Sequence, residues 1–183
     1  MSIPPIGPAD QAEAALLAQR RIMVSGPLDT VTVSQLSAQL MSLDGDSDEP
    51  VELIVNSSGG PVADVLPLLD ILDLMRAPVD TVCIGAAEST AAALVAAGTR
   101  DRRAGARARF RLRIDEHHDA EGSATELQRR AAEVAATLEH YQRSLATATG
   151  QSMAAIETEM TSGTVRSAAE AVEFGLVDAL VGR

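Results

Sequence analysis

Two apolar runs, Val51–Val55 and Val79–Ile84, each break at a glycine-bearing turn that leads into a helical pattern. A chain built from repeated strand–turn–helix units is confined to a mostly parallel sheet with helices packed on it, an α/β fold. After the first run, Asn56-Ser57-Ser58-Gly59-Gly60 predicts a tight turn. Pro61 suits the first helical position, and Val62, Val65, Leu66, Leu69, Leu72 and Met75 fall on one helix face. After the second run, Gly85-Ala86-Ala87-Glu88-Ser89 predicts another turn, opening a helix of small residues over Thr90–Ala97 that Gly98 caps. Turns of this kind aim backbone N–H groups into a crevice where an oxyanion or a carbonyl can bind.

The flanking segments repeat the theme. Residues 1–12 are Pro-rich and polar and read as a flexible arm, followed by a short helix at Ala14–Ala18 and a strand at Arg21–Val24. Val33, Leu36, Leu40 and Leu43 recur at helical spacing before the acidic turn DGDSDEP. Arg109–Ile114 alternates strictly, with Phe110, Leu112 and Ile114 on one face and Arg109, Arg111 and Arg113 on the other, as in a strand. Leu127, Ala131, Val134, Leu138, Tyr141 and Leu145 stripe one long helix from about 124 to 147, ended by Gly150. A short helix follows at Met153–Met160. Ser167 and Glu170 then form a capping box, and Gly175 closes that last helix before Leu176–Val181. At 183 residues the chain fits one domain, residues 1–183, without internal repeats.

Charge narrows the function classes. A net charge of −11 repels phosphate backbones, and one Tyr, two Phe and no Trp leave nothing on which bases could stack, so nucleic-acid binding is not expected. Seven of the fifteen arginines nevertheless fall between Arg100 and Arg113, a cluster that must meet solvent, an acidic patch or a neighbouring subunit. No run of eighteen apolar residues occurs, and the N-terminus lacks the basic start and apolar stretch of a signal peptide; a soluble cytoplasmic protein without membrane contact is expected. The lone Cys83 sits in an apolar run and reads as a buried hydrophobe, which argues against disulfides. His117 and His118 have no third ligand at a metal-binding spacing, and His140 reads as a surface residue; neither a metal nor a cofactor is expected.

Ser89, on the second turn at a helix start, is either a nucleophile or an N-cap, and sequence mechanics alone favour the cap. The strings RIMVSGPLD, ELIVNSSGGPV, VDTVCIGAAESTAAALVAAG, ATATGQ and RSAAEAVEFGLVDAL, in that order and without gaps, resemble the Clp protease proteolytic-subunit (ClpP) family over roughly residues 14–181. The family writes the first turn as Asn-Ser-Pro-Gly-Gly and the second as Gly-x-Ala-Ser. The resemblance therefore implies Ser89 at the nucleophile position and the N–H groups of Gly60 and Thr90 as oxyanion donors. It also implies a crotonase-like spiral of ββα units, with residues 114–148 as a projecting handle that joins two heptameric rings. Glu88 stands where the family has a small residue before its serine.

The same comparison shows what is lost. Counted without gaps, Ile114 occupies the family's histidine position and Gly163 its aspartate position, so base and orienting acid are both missing. His117 or His118, with Asp115 or Asp119 as orienter, could replace the base only through a rebuilt loop, because three extended residues span about 10 Å and a base must lie within about 3 Å. Aromatics that line the family's docking groove for its hexameric ATPase are replaced by Glu52, Ile54 and Leu74, which puts ATPase docking in doubt. Thr164 replaces an arginine that links the two rings, which puts double-ring assembly in doubt. The leading expectation is a catalytically impaired subunit serving a structural or regulatory role in a ring of its own copies or of paralogous ClpP subunits. The alternatives are an active Clp-type serine endopeptidase with Ser89 and a displaced base, and a crotonase-like binder of acyl thioesters through Gly60 and Thr90.

Overall fold

The computed structural model describes residues 7–114 and 122–182. Along the chain run α1 (Pro8–Leu17), β1 (Arg21–Pro27), α2 (Thr30–Asp46), β2 (Val51–Gly59), α3 (Val62–Leu74), β3 (Val79–Glu88) and α4 (Thr90–Ala96). Then follow β4 (Arg102–Gly105), β5 (Arg109–Arg111), α5 (Ala124–Thr149), α6 (Met153–Ser162), β6 (Arg166–Ser167), α7 (Ala168–Phe174) and β7 (Ala179–Val181). The sheet has the order β1-β2-β3-β4-β7, parallel throughout, as short strand–helix–strand crossovers require. Strand β5 pairs in parallel with the far end of β3 and antiparallel with β6. The molecule is thus α/β.

The two faces of the sheet have different fates. Ile22, Leu53 and Thr81, and beyond them Val24, Val55, Cys83 and Ala104, align across the strands and face the helices, almost fully buried. Burial pushes the Cys83 thiol up to about 12, so it behaves as the apolar group its neighbours suggested. Helix α4 lies in this layer with all seven residues buried; alanines let it approach β2 and β3 closely. On the outer face Arg21 and Arg103 both hold Glu52, at 2.7 and 2.9 Å, while Met23 and Ile84 stay exposed.

Arginines tie the ends of elements together. Arg102 enters the helix layer from β4, where its guanidinium donates to the carbonyls of Ala96, Ala148 and Gly175 and pairs with Asp178. Those three carbonyls sit at the C-terminal ends of α4, α5 and α7, where helices leave acceptors unpaired. Arg20 serves the end of α2 in the same way, donating to Leu43, Ser47 and Glu49. Arg100 pairs with Asp80, and Arg111 with Glu88. Much of the arginine cluster thus meets acidic partners within the chain.

Some expectations are corrected. Residues 8–12, expected as an arm, belong to α1, because Pro8 pre-sets the backbone at a helix start and an Ala-rich stretch follows. The two expected turns are strand continuations: β2 runs on to Gly59 and β3 to Glu88, each past a register shift. Those continuations are paired, Ser57 with Ala87 and Ala86 to Glu88 with Arg109 to Arg111. Among the described residues, no helix is long and apolar enough to cross a membrane.

Candidate active site

Ser89 sits where β3 ends and α4 begins, with φ 53° and ψ −128°. A non-glycine residue at positive φ costs of order 1–3 kcal/mol and persists only where its surroundings dictate it. Here they do. Its N–H donates to the Arg111 carbonyl at 2.7 Å, and its carbonyl accepts from the Tyr141 hydroxyl at 3.3 Å and from Ala92 N–H at 3.2 Å. The side chain makes no capping bond to α4, so the cap reading is not what this residue does. A serine held on a strained strand-to-helix turn is the arrangement that presents a hydroxyl for nucleophilic attack.

The end of β2 packs against this turn. A Cβ at Gly59 would lie 2.5 Å from the Glu88 carbonyl oxygen, 2.8 Å from Thr90 N and 2.9 Å from Ser89 Cβ, and φ is +78° there. A Cβ at Gly60 would lie 1.9 Å from the Leu28 carbonyl oxygen. Both glycines are therefore required by close backbone approach. Ser57 and Asn56 pin this junction: Ser57 Oγ accepts from Gly59 N–H at 3.0 Å and donates to Gly26, and Asn56 Oδ1 accepts from Ala86 N–H at 3.1 Å. The structure places Gly59 and Gly60 against Ser89 and Thr90. Gly60 N–H, however, donates to Thr90 Oγ1 at 2.8 Å, and that hydroxyl donates back to the Gly60 carbonyl at 3.0 Å. Thr90 N–H opens α4, where its own helix offers it no acceptor.

Glu88, the carboxylate beside the serine, is held by Arg111 at 2.6 Å on the neighbouring strand. Ile114 is half-buried and packs against the core. Gly163 caps α6 at φ 63°, and the side chain it meets is that of Arg113, whose Cδ would lie 2.9 Å from a Cβ there. Strand β5 ends at Arg111, short of the Ile114 expected from the alternation; beyond it Leu112 is buried, while Arg113 is exposed and lies against Gly163. His117 and His118, with Asp115 and Asp119, lie outside the described residues. His140 is exposed and lines a separate cavity of about 620 Å³ between α3 and α5.

A larger cleft of about 1350 Å³ opens two residues beyond Gly60, between Val62 and helix α5, with Arg113, Ile114, Leu138 and Met160 on its walls. Sequence reasoning reached the serine through the family resemblance. It missed Gly59, Tyr141 and the Thr90 hydroxyl, whose roles depend on backbone approach that no local pattern encodes. A family model described as Clp protease matches residues 8–183, nearly the whole chain. Together with the strand-to-helix serine and the glycine turn packed on it, that match places this chain in the Clp protease family.

Proposed function

We propose that this chain is a Clp-protease-family subunit with a serine peptidase fold and an impaired catalytic centre, serving a structural or regulatory role in a ring of its own copies or of paralogous subunits. The observation that carries the proposal is the pair of residues at the positions matching the family's base and acid: Ile114, whose side chain packs against the core, and Gly163, which caps α6 and meets the Arg113 side chain. An alkyl side chain cannot take the Ser89 proton, and glycine offers no carboxylate to orient a base. Without base and acid, at most the ~10³–10⁴-fold owed to oxyanion hole and binding survives.

The outer sheet face supports the same reading for partners. Glu52, held between Arg21 and Arg103, puts a paired charge where family members carry groove aromatics, so a Clp ATPase finds a polar lattice there. One observation favours the alternative of an active endopeptidase, since the strain at Ser89 is retained and a displaced His117 or His118 would give it a use. Turnover of short fluorogenic peptides by the purified protein and by Ser89→Ala decides between them. Equal background rates are expected; hydrolysis that disappears in Ser89→Ala overturns the proposal.

A further inference from the structure

We infer that the Thr90 hydroxyl is a built-in occupant of the oxyanion site, an autoinhibitory latch that spends the Gly60 N–H donor within the protein. The inference rests on the assignment of Ser89 and Gly60 above and adds a second block to the missing base. The Gly59 carbonyl accepts from Leu28 N–H at 3.0 Å. The peptide joining Gly59 to Gly60 is trans, so its N–H points away from that carbonyl. Leu28 and the Ser89 turn press on the two glycines from either side, which leaves this peptide no room to flip. Gly60 N–H therefore faces the site, and at 2.8 Å it meets Thr90 Oγ1.

That separation falls in the range, about 2.7–3.1 Å, at which an oxyanion donor holds a substrate oxygen. The hydroxyl accepts this N–H and gives its proton to the Gly60 carbonyl at 3.0 Å, so one oxygen satisfies both polar groups of the residue. Thr90 is fully buried and β-branched, and turning the hydroxyl away would break both bonds. An acyl oxygen arriving at Ser89 thus finds only Thr90 N–H unless the side chain gives way. One lost donor costs about 10²–10³ in rate at such sites.

The test compares wild type, Thr90→Val and Thr90→Ser in their reaction with an alkyl fluorophosphonate, followed by intact mass. Ser89 Oγ forms a bond to phosphorus, fluoride leaves, and the hydroxyl proton passes to water. Thr90→Val keeps the shape and removes the hydroxyl; Thr90→Ser keeps the hydroxyl. Labelling of Thr90→Val is expected to be faster than that of Thr90→Ser by on the order of 10²-fold. Equal labelling of the two variants overturns the inference, absence of labelling in both included. Amide exchange in ¹⁵N-glycine-labelled wild type covers the case in which Thr90→Val does not fold: a protected Gly60 N–H is expected, and an unprotected one overturns the latch. Peptide turnover by wild type would defeat the impaired-subunit proposal alone, since the latch is judged by the ratio between variants.

Discussion

At the scale of single residues, the site retains a strained backbone. Holding Ser89 at φ 53° costs energy whether or not the hydroxyl ever reacts. On the proposed reading of an impaired centre, catalysis should be recoverable by few changes. In the Thr90→Val background, Ile114→His with Gly163→Asp is expected to raise peptide hydrolysis by about 10²-fold or more over either single change, since Ile114 is half-buried and lines the cleft. Steady-state assays on folded variants check this, and a folded double variant no faster than the single ones would remove residues 114 and 163 from the base and acid positions. Asp at residue 163 must adopt a φ near +63°, which aspartate tolerates better than most residues.

At the scale of elements, arginine ties helix ends together over the apolar core. Arg102 donates to Asp178 through side chain and backbone, which holds that carboxyl below its ordinary value. A depressed folded-state pKa means the stabilisation is complete above the unfolded value, about 3.9, and is lost as pH falls through the lower folded value. Thermal melting of Asp178→Asn against wild type is therefore expected to differ at pH 6 and to converge toward pH 3. A constant difference across that range would show that the pair does not titrate with folding. The same joints explain what local sequence conveyed. Helices α2, α3 and α5 were legible because their apolar residues repeat at helical spacing, and α7 because its capping box is written locally, Ser167 to Glu170. Strand β4 was not legible, since Arg102-Arg103-Ala104-Gly105 has no apolar alternation; its arginines point to carbonyl ends and to Glu52, partners far along the chain. For the site, the family resemblance pointed to Ser89, Gly60 and Thr90, and the Gly60–Thr90 bonds are what the structure adds. The Arg113–Gly163 contact was not legible, because the two residues are far apart in sequence and no local pattern relates them.

At the scale of the whole molecule, the long helix α5 bears on assembly. Its first half stands away from the core, with Ala131, Val134 and Ala135 exposed beside the 1350 Å³ cleft, while Tyr141 and Leu145 anchor its second half. Glu126, Arg129, Arg130 and Glu133 pair with one another along the same half of the helix, Arg130 and Glu133 at the cleft itself. An apolar face of this kind is seldom left in water. Sedimentation is expected to give a species well above the 19.1 kDa monomer, and Val134→Glu to shift it toward smaller species. A clean monomer at micromolar concentration would contradict this.

The Arg102 junction also bears on how the protein opens. Its guanidinium can be fully satisfied only when the ends of α4, α5 and α7 have all arrived, although Ala96, Ala148 and Gly175 are far apart in sequence. Releasing any one of them leaves a partly buried cation short of acceptors and loosens the other two. These three helix ends and β4 therefore behave as one cooperative unit, with a shared opening free energy in native-state hydrogen exchange. Since Ser89 introduces α4 and Arg102 holds its far end, the helix that begins at the strained turn finishes inside that unit.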